Sequence, residues 1–551
     1  MGINFKKCLI MALACGSVFV AGAQQQDDDM KRRINDAVMN VYNEELQKNP
    51  NDYESLCGRA NQYFVNGDYL RALDDVERAI KYTPTNEKEL RFEEFMLRAK
   101  IYDVRGEEEK RLLDLYAANR IDPSHVNCLG LLAEANYNMK NYDDAEQCYQ
   151  RILRLQPNSY DAMAGLARIE VMRKNFGKAA DYVDRAVKLY PAEPAVFVNR
   201  AEVLIMMEQY QSAAQDLISA LSVGKDNQDV IESLILLSDV HYDAVIDALN
   251  NSISKAPRNG LFYYIASQVA MGHNHFADAE YYFKAINDNK LYEYHGIYAD
   301  LAKAQYSLGK YADALNNVNI AIRACDTEPS YYVTRSKIQR ALGKAADAVT
   351  STKLALANNV DYVPALIEQA CAYIAQGNDK DALTSLNMAL VNDSESSEAT
   401  LLRAWLYANR LNKPTDAKHD YARVLLKDDD LSSLRGFALL ALDREEEAAK
   451  WADTIIQKGM LPGGESYYVA AALLAQAGET DKALGYVASA LANGYGNYHN
   501  LTRFDNPVVN IKPLQGEKLN TLLTQNASVF KAKRLTDKSE KKLPPLIGAK
   551  I

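Results

Sequence analysis

Proline recurs every 34 residues in the first part of the chain, from Pro50 to Pro84 and then through Pro123, Pro157 and Pro191. A fixed period of this length marks a repeat array. It constrains the fold strongly, because each repeat can bury its apolar face only against its neighbours. On a 34-residue frame the chain gives about thirteen units. They start near Tyr53, Phe92, Val126, Tyr160, Pro194, Asp226, Gly260, His295, Pro329, Val363, Ser397, Asp429 and Gly464. The eighth position is then Ala60, Ala99, Ala133, Ala167, Ala201, Ser233, Ser267, Ala302, Ser336, Ala370, Ala404, Gly436 and Ala471, and every one is small. The twentieth is Ala in eleven units, among them Ala72, Ala145, Ala213, Ala314, Ala382 and Ala483. Ala417 joins them after a one-residue insertion at Pro414, and Arg111 and Val245 are the exceptions. Ala returns at position twenty-seven in eight units, including Ala79, Ala118, Ala186 and Ala389. Small side chains at three fixed places let two helices approach closely and fix their crossing.

The punctuation agrees. Gly67, Gly106, Gly309, Gly343, Gly377 and Gly478 stand at position fifteen, where a first helix should end in a left-handed residue. An aromatic follows at position seventeen, as in Tyr69, Tyr142, Phe176, Tyr210, Tyr242, Phe276 and Tyr311, which accounts for part of the 35 tyrosines. Proline near position thirty-two stops the second helix. This pattern resembles the tetratricopeptide repeat, most clearly in Gly67-Asp68-Tyr69-Leu70-Arg71-Ala72 and Asn141-Tyr142-Asp143-Asp144-Ala145. The resemblance covers about four-fifths of the chain. It implies an all-α fold: a right-handed α-solenoid of about thirteen helix hairpins with helical caps, its concave face lined by first helices. It implies a protein-binding role and no chemistry. The pattern weakens at an insertion around Pro84 to Glu89 and at the units Asp226–Pro257 and Asp429–Lys458, where the superhelix is expected to distort.

The first 23 residues read as an export signal of a bacterial protein: Lys6 and Lys7, an apolar stretch from Cys8 to Val20, and Ala21-Gly22-Ala23 before Gln24. The rival reading is an outer-membrane lipoprotein lipidated at Cys15. Cleavage at Ala23 takes the net charge from −10 to −12, since two lysines and no acid are lost. Either charge disfavours nucleic acid, whose phosphates need a basic face. No other stretch is long and apolar enough for a transmembrane helix. Residues 24–52 are expected to be a linker and N-terminal capping helix, with the repeat array at 53–497, a C-terminal cap at 498–525 and a basic, disordered tail at 526–551. Cys57, Cys128, Cys148, Cys325 and Cys371 are scattered and odd in number, which reads as buried thiols. Cys128 and Cys148 are the one pair close enough to test for a disulfide.

Sequence signatures for nucleotide, zinc-protease and hydrolase chemistry are missing. His273 and His275 flank Asn274 in a turn, with Asp278 and Glu280 nearby, and read as incidental residues of an exposed turn rather than as metal ligands. Asp27-Asp28-Asp29 and Asp428-Asp429-Asp430 read as a solvated linker and an acidic helix start. No catalytic residue, cofactor or metal is therefore expected. What remains is surface. Position nine should project into the groove, as Asn61, Lys100, Glu134, Arg168, Glu202, Leu234, Gln268, Lys303, Lys337, Cys371, Trp405, Phe437 and Ala472. The candidate groove is mixed-polar from Asn61 to Lys337 and apolar around Trp405 and Phe437, which read either as aromatic anchors for a partner or as packing against neighbouring helices or the C-terminal cap. It lacks the continuous basic row that clamps a peptide carboxylate. Together these features point to a non-catalytic scaffold or adaptor of the periplasm or cell envelope, a candidate component of an envelope complex, binding a peptide or protein along the groove. The alternative is a glycan-binding envelope protein that uses tyrosine and tryptophan platforms.

Overall fold

The computed structural model describes residues 38–224, 228–292, 294–426 and 434–532. The export-type segment with Cys15, the two aspartate triplets and the basic tail from Lys533 onward lie outside the described residues. Among those described, helices follow one another in tandem, and most pack against their successors. Numbering starts at the first hairpin, after a helix over residues 38–48. The opening hairpins are α1 (Tyr53–Val65) with α2 (Tyr69–Tyr82), α3 (Lys88–Val104) with α4 (Glu108–Ile121), α5 (Val126–Asn138) with α6 (Tyr142–Leu155), α7 (Tyr160–Met172) with α8 (Phe176–Leu189), and α9 (Pro194–Met206) with α10 (Tyr210–Val223). The chain divides into two compact units, Met1–Leu237 and Ser238–Ile551.

The small-residue frame is the packing code of both units. All thirteen position-eight residues are buried, as are the eleven alanines at position twenty. At the two exceptions, Arg111 and Val245 are buried as well. The turn after each first helix is left-handed where glycine stands at position fifteen. It is equally left-handed at Lys140, Lys174, Glu208, Asn274 and Asp443, whose φ angles run from 59° to 64°. Helix starts carry side-chain caps: Asp52 accepts from Ser55 N, and Ser159 from Ala162 N. The insertion at Pro84–Glu89 becomes an added turn at the start of α3, which makes it 17 residues long.

A second recurring device joins the two helices of a hairpin. The arginine at position seven grips the aspartate at position twenty-three with two hydrogen bonds: Arg59 with Asp75, Arg98 with Asp114, Arg200 with Asp216 and, past the insertion, Arg403 with Asp420. All eight bonds measure 2.6–2.9 Å. In two other repeats the same places hold Arg335 with Ser351 and Gln369 with Ser385. A charge buried at this depth is tolerated only when paired.

The weak units differ from the rest. Gln228–Lys255 is one helical run broken only at His241 (φ −130°, ψ 53°), so the usual turn is compressed to one residue, and the division between the two units falls within this run. Further on, the first helix of the Asp429 unit is cut to Arg435–Ala441. The C-terminal cap is a short helix, Tyr498–Thr502, then a 3-10 turn at Lys512–Leu514 and a helix at Glu517–Gln525. The tail's first residues, Ala527–Phe530, form another 3-10 turn.

Candidate functional site

In the first unit the first helices present polar side chains to a shared cleft of about 470 Å³, lined from α1, α3 and α5 by residues that include Glu54, Asn61, Phe92, Glu93, Lys100 and Asn127. Asn61, Lys100 and Glu134 are exposed. Arg168 is half-buried and Glu202 buried, and the two are 3.5 Å apart across neighbouring repeats. Beside the cleft, Arg111 replaces the usual alanine and fills its place with a guanidinium. It pairs with Asp103 (3.0 Å), Glu108 (3.0 Å) and Glu134 (3.2 Å). Three carboxylates around one guanidinium leave two negative charges in excess. The Arg111 side chain is 4% exposed, whereas those of Asp103 and Glu134 are 51% and 52% exposed. Burial raises the Asp103 carboxyl; Arg111 opposes this, and Glu134 and Glu108 add to it.

The second unit treats the same helix faces differently. Its own C-terminal segment, Tyr495 to Asn510, runs across them. Gly496 N donates to Asn274 O (3.0 Å), and Asn274 Nδ2 donates to Glu465 Oε2 and Pro462 O. His499, 2% exposed, meets the hydroxyls of Tyr306 at Nε2 (2.7 Å) and Tyr311 at Nδ1 (2.8 Å), and Asp505 Oδ1 at Nε2 (2.8 Å). Arg340 is bidentate to Glu368 (2.8 and 3.2 Å) and reaches Asp505 Oδ2 at 3.4 Å. Burial alone would raise the Asp505 carboxyl, but the His499 hydrogen bond and the Arg340 charge outweigh it and hold the group below its ordinary value. Farther along, Gln476 Nε2 donates to Val508 O (2.7 Å) and Asn510 O. The segment leaves a cavity of about 450 Å³ lined by Lys337, Arg340, Cys371, Glu398 and Val508 among others. The Cys371 thiol there is pushed up to about 12 by burial, so it is not an activated nucleophile.

This strap decides where the remaining position-nine residues lie. Gln268 donates to Asp300 (3.2 Å), and Lys303 pairs with the same carboxylate (2.9 Å). Lys337 is exposed at the cavity. Trp405 is half-buried, in the same apolar cluster as Val508. Phe437, expected to project into a groove, is 4% exposed instead. It lies in a buried cluster with Trp451 of its own repeat, Leu473 of the next and Leu501, Ile511 and Leu514 of the C-terminal cap, so the ring is core. The turn at His273–His275 is also covered rather than exposed, because the backbone at Gly463 and Gly496 lies against it. No group of three metal-ligating side chains occurs among the described residues. No described helix is long and apolar enough to cross a membrane. Cys128 and Cys148 are free buried thiols, so the tested pair does not form a disulfide.

The frame did not reveal the roles of His499, Asp505, Arg340 and Glu368. The one available signal was the irregular stretch Gly494–Pro513, whose contacts with Tyr306, Tyr311 and Arg340 span 165 to 193 residues of sequence.

Residues 131–194, which run from within α5 to the start of α9, match the tetratricopeptide-repeat family. No curated protein matches the chain. Among solved structures, yeast Tom70 matches at 16% identity and a TM-score of 0.33, over 74% of this chain and 98% of that one. Human IFIT1, in a dimer with PPP-AAAA, matches at 16% and 0.33, over 67% and 90%. The APC/C hetero-tetramer Cut9-Hcn1 matches at 13% and 0.33, over 91% and 95%. The fold described above rests on this chain's own helix pairing.

Proposed function

We propose that this protein is a non-catalytic adaptor, exported to the cell envelope, that binds a peptide or protein partner on the first-helix face of its first unit. The observation that carries this reading is the contrast between two equivalent surfaces. In the second unit the first-helix faces are hydrogen-bonded to the chain's own C-terminal segment. In the first unit, Asn61 and Lys100 line an open cleft, and both they and Glu134 are exposed. Polar side chains at repeating positions on a rigid scaffold suit partner recognition, because little ordering is left to do on binding. Tetratricopeptide repeats generally serve as protein–protein scaffolds, which agrees with this reading. The envelope location rests on the first 23 residues alone.

A photo-reactive side chain placed at Lys100 tests the binding reading in the cells of origin, with Leu113, 70% exposed on α4, as the control position. A discrete adduct from position 100 and none from position 113 is expected. Equal labelling from both positions contradicts the reading. Fractionation of the same cells tests export, and recovery of the uncleaved chain in the cytoplasm contradicts it.

A further inference from the structure

We infer that the partner of the first unit is an extended peptide rich in lysine or arginine, held along an acidic row on α1, α3 and α5. This rests on the reading of that face as a partner-binding surface and adds the chemistry of what it binds.

The first observation is which charges reach solvent. Glu54 and Glu93 line the cleft, and neither makes an ion pair among the described residues. Asp103 and Glu134 continue the row on α3 and α5, each half-exposed, while the arginine that pairs with them is sunk beneath them. The cation is inside and the anions are outside, so the field presented to a ligand is negative although the residue types are mixed. Lys100 is the one cleft-lining lysine or arginine among the described residues.

The second observation is shape. Leu90, Phe92 and Met96 form an apolar wall beside Glu93. Such a wall takes the aliphatic stem of a lysine or arginine while the head reaches a carboxylate. Spacing agrees with an extended ligand. The row crosses three successive first helices, as an extended chain would, and same-face residues of a polyproline II segment recur about every 9 Å. A basic side chain at every third residue would therefore face the row throughout.

The test uses the full-length protein and three fluorescent twelve-residue peptides of one design, with arginine, glutamine or glutamate at every third position. Binding is read by anisotropy at low and at physiological salt. The arginine peptide should bind at least about fivefold tighter than the glutamine peptide, the weight of a single modest ion pair, and lose that advantage as salt rises. Glu54→Gln with Glu93→Gln should remove most of the preference, and Lys100→Gln should strengthen binding. The two glutamates are surface carboxylates without ion-pair partners, so their loss leaves the fold intact, and the Lys100 variant checks the same face with the opposite sign. Equal affinity for all three peptides, or preference for the glutamate peptide, overturns the inference while leaving the face a peptide-binding surface. An arginine preference that survives Glu54→Gln/Glu93→Gln overturns the placement. Failure of all three peptides to bind overturns this inference together with the reading on which it rests.

Discussion

Charged residues inside this protein are held by a few recurrent arrangements, and each makes a different demand on stability. The arginine–aspartate grip between positions seven and twenty-three buries its carboxylate at 2–4% exposure in Asp75, Asp114, Asp216 and Asp420. Removing one partner strands a charge. Asp114→Ala is therefore expected to destabilise its hairpin by about 3–5 kcal/mol, read as a lowered midpoint in urea. Arg98→Gln with Asp114→Ser installs the uncharged pair already present at Gln369 and Ser385, and should cost far less. Glu94 is the opposite case. It is fully buried, accepts from the Thr83 hydroxyl, and leaves Oε2 without a hydrogen-bond partner. Burial raises its carboxyl above the ordinary value, although Thr83, Arg91 and Arg98 pull the other way. The folded state then holds the proton more tightly than the unfolded state does. This residue's contribution is favourable at low pH and is lost as pH rises through the raised value. Glu94→Gln should accordingly raise the thermal midpoint at pH 7 and leave it nearly unchanged at pH 4. A midpoint that falls at pH 7 contradicts this. None of these roles is visible in the sequence, because an arginine at position seven reads as solvated surface until its partner sixteen residues on is seen.

At the scale of elements, the hairpins were legible and the strap was not. The repeat announces itself through local rules: a small residue wherever two helices cross, a left-handed residue at the turn, an aromatic after it. Such rules survive substitution. Lys174 takes the turn conformation at φ 63° without being glycine, so Lys174→Gly should stabilise the full chain by up to about 1 kcal/mol, measured by thermal unfolding. The strap obeys no local rule. His499 and Asp505 meet Tyr306, Tyr311 and Arg340, which lie far away in sequence, and the segment carrying them is aperiodic. Glycines also allow the close approach of backbone to the His273–His275 turn. At Gly463 (φ 55°) a Cβ would fall 1.7 Å from the backbone oxygen of His273. Gly463→Ala should lower stability by about 2 kcal/mol or more and speed hydrogen exchange at Asn274 and Gly496. Unchanged exchange at both amides would show that the approach is not required. Phe437 belongs to the core because its cluster joins Trp451 of its own repeat, Leu473 of the next and residues of the cap, which a single-repeat frame does not bring together.

Taken whole, the chain uses one helical grammar for two ends. In the second unit the first-helix faces hold the protein's own C-terminal segment, and in the first unit, among the described residues, they border an open cleft. Position nine marks residues along the first-helix faces, but it does not distinguish an exposed face from one covered by a distant segment of the chain. Arg111 illustrates the limit: it appeared as an exception to a column of alanines, yet it sets the charge of the open face by drawing Asp103 and Glu134 around a buried cation. The claim that partner binding belongs to the first unit is tested most directly by hydrogen–deuterium exchange on the full-length protein, with and without the arginine peptide. Protection confined to α1, α3 and α5, with exchange in the segment from Tyr495 to Asn510 unchanged, is the predicted result. Protection centred on the second unit, with that segment released into fast exchange, would contradict it.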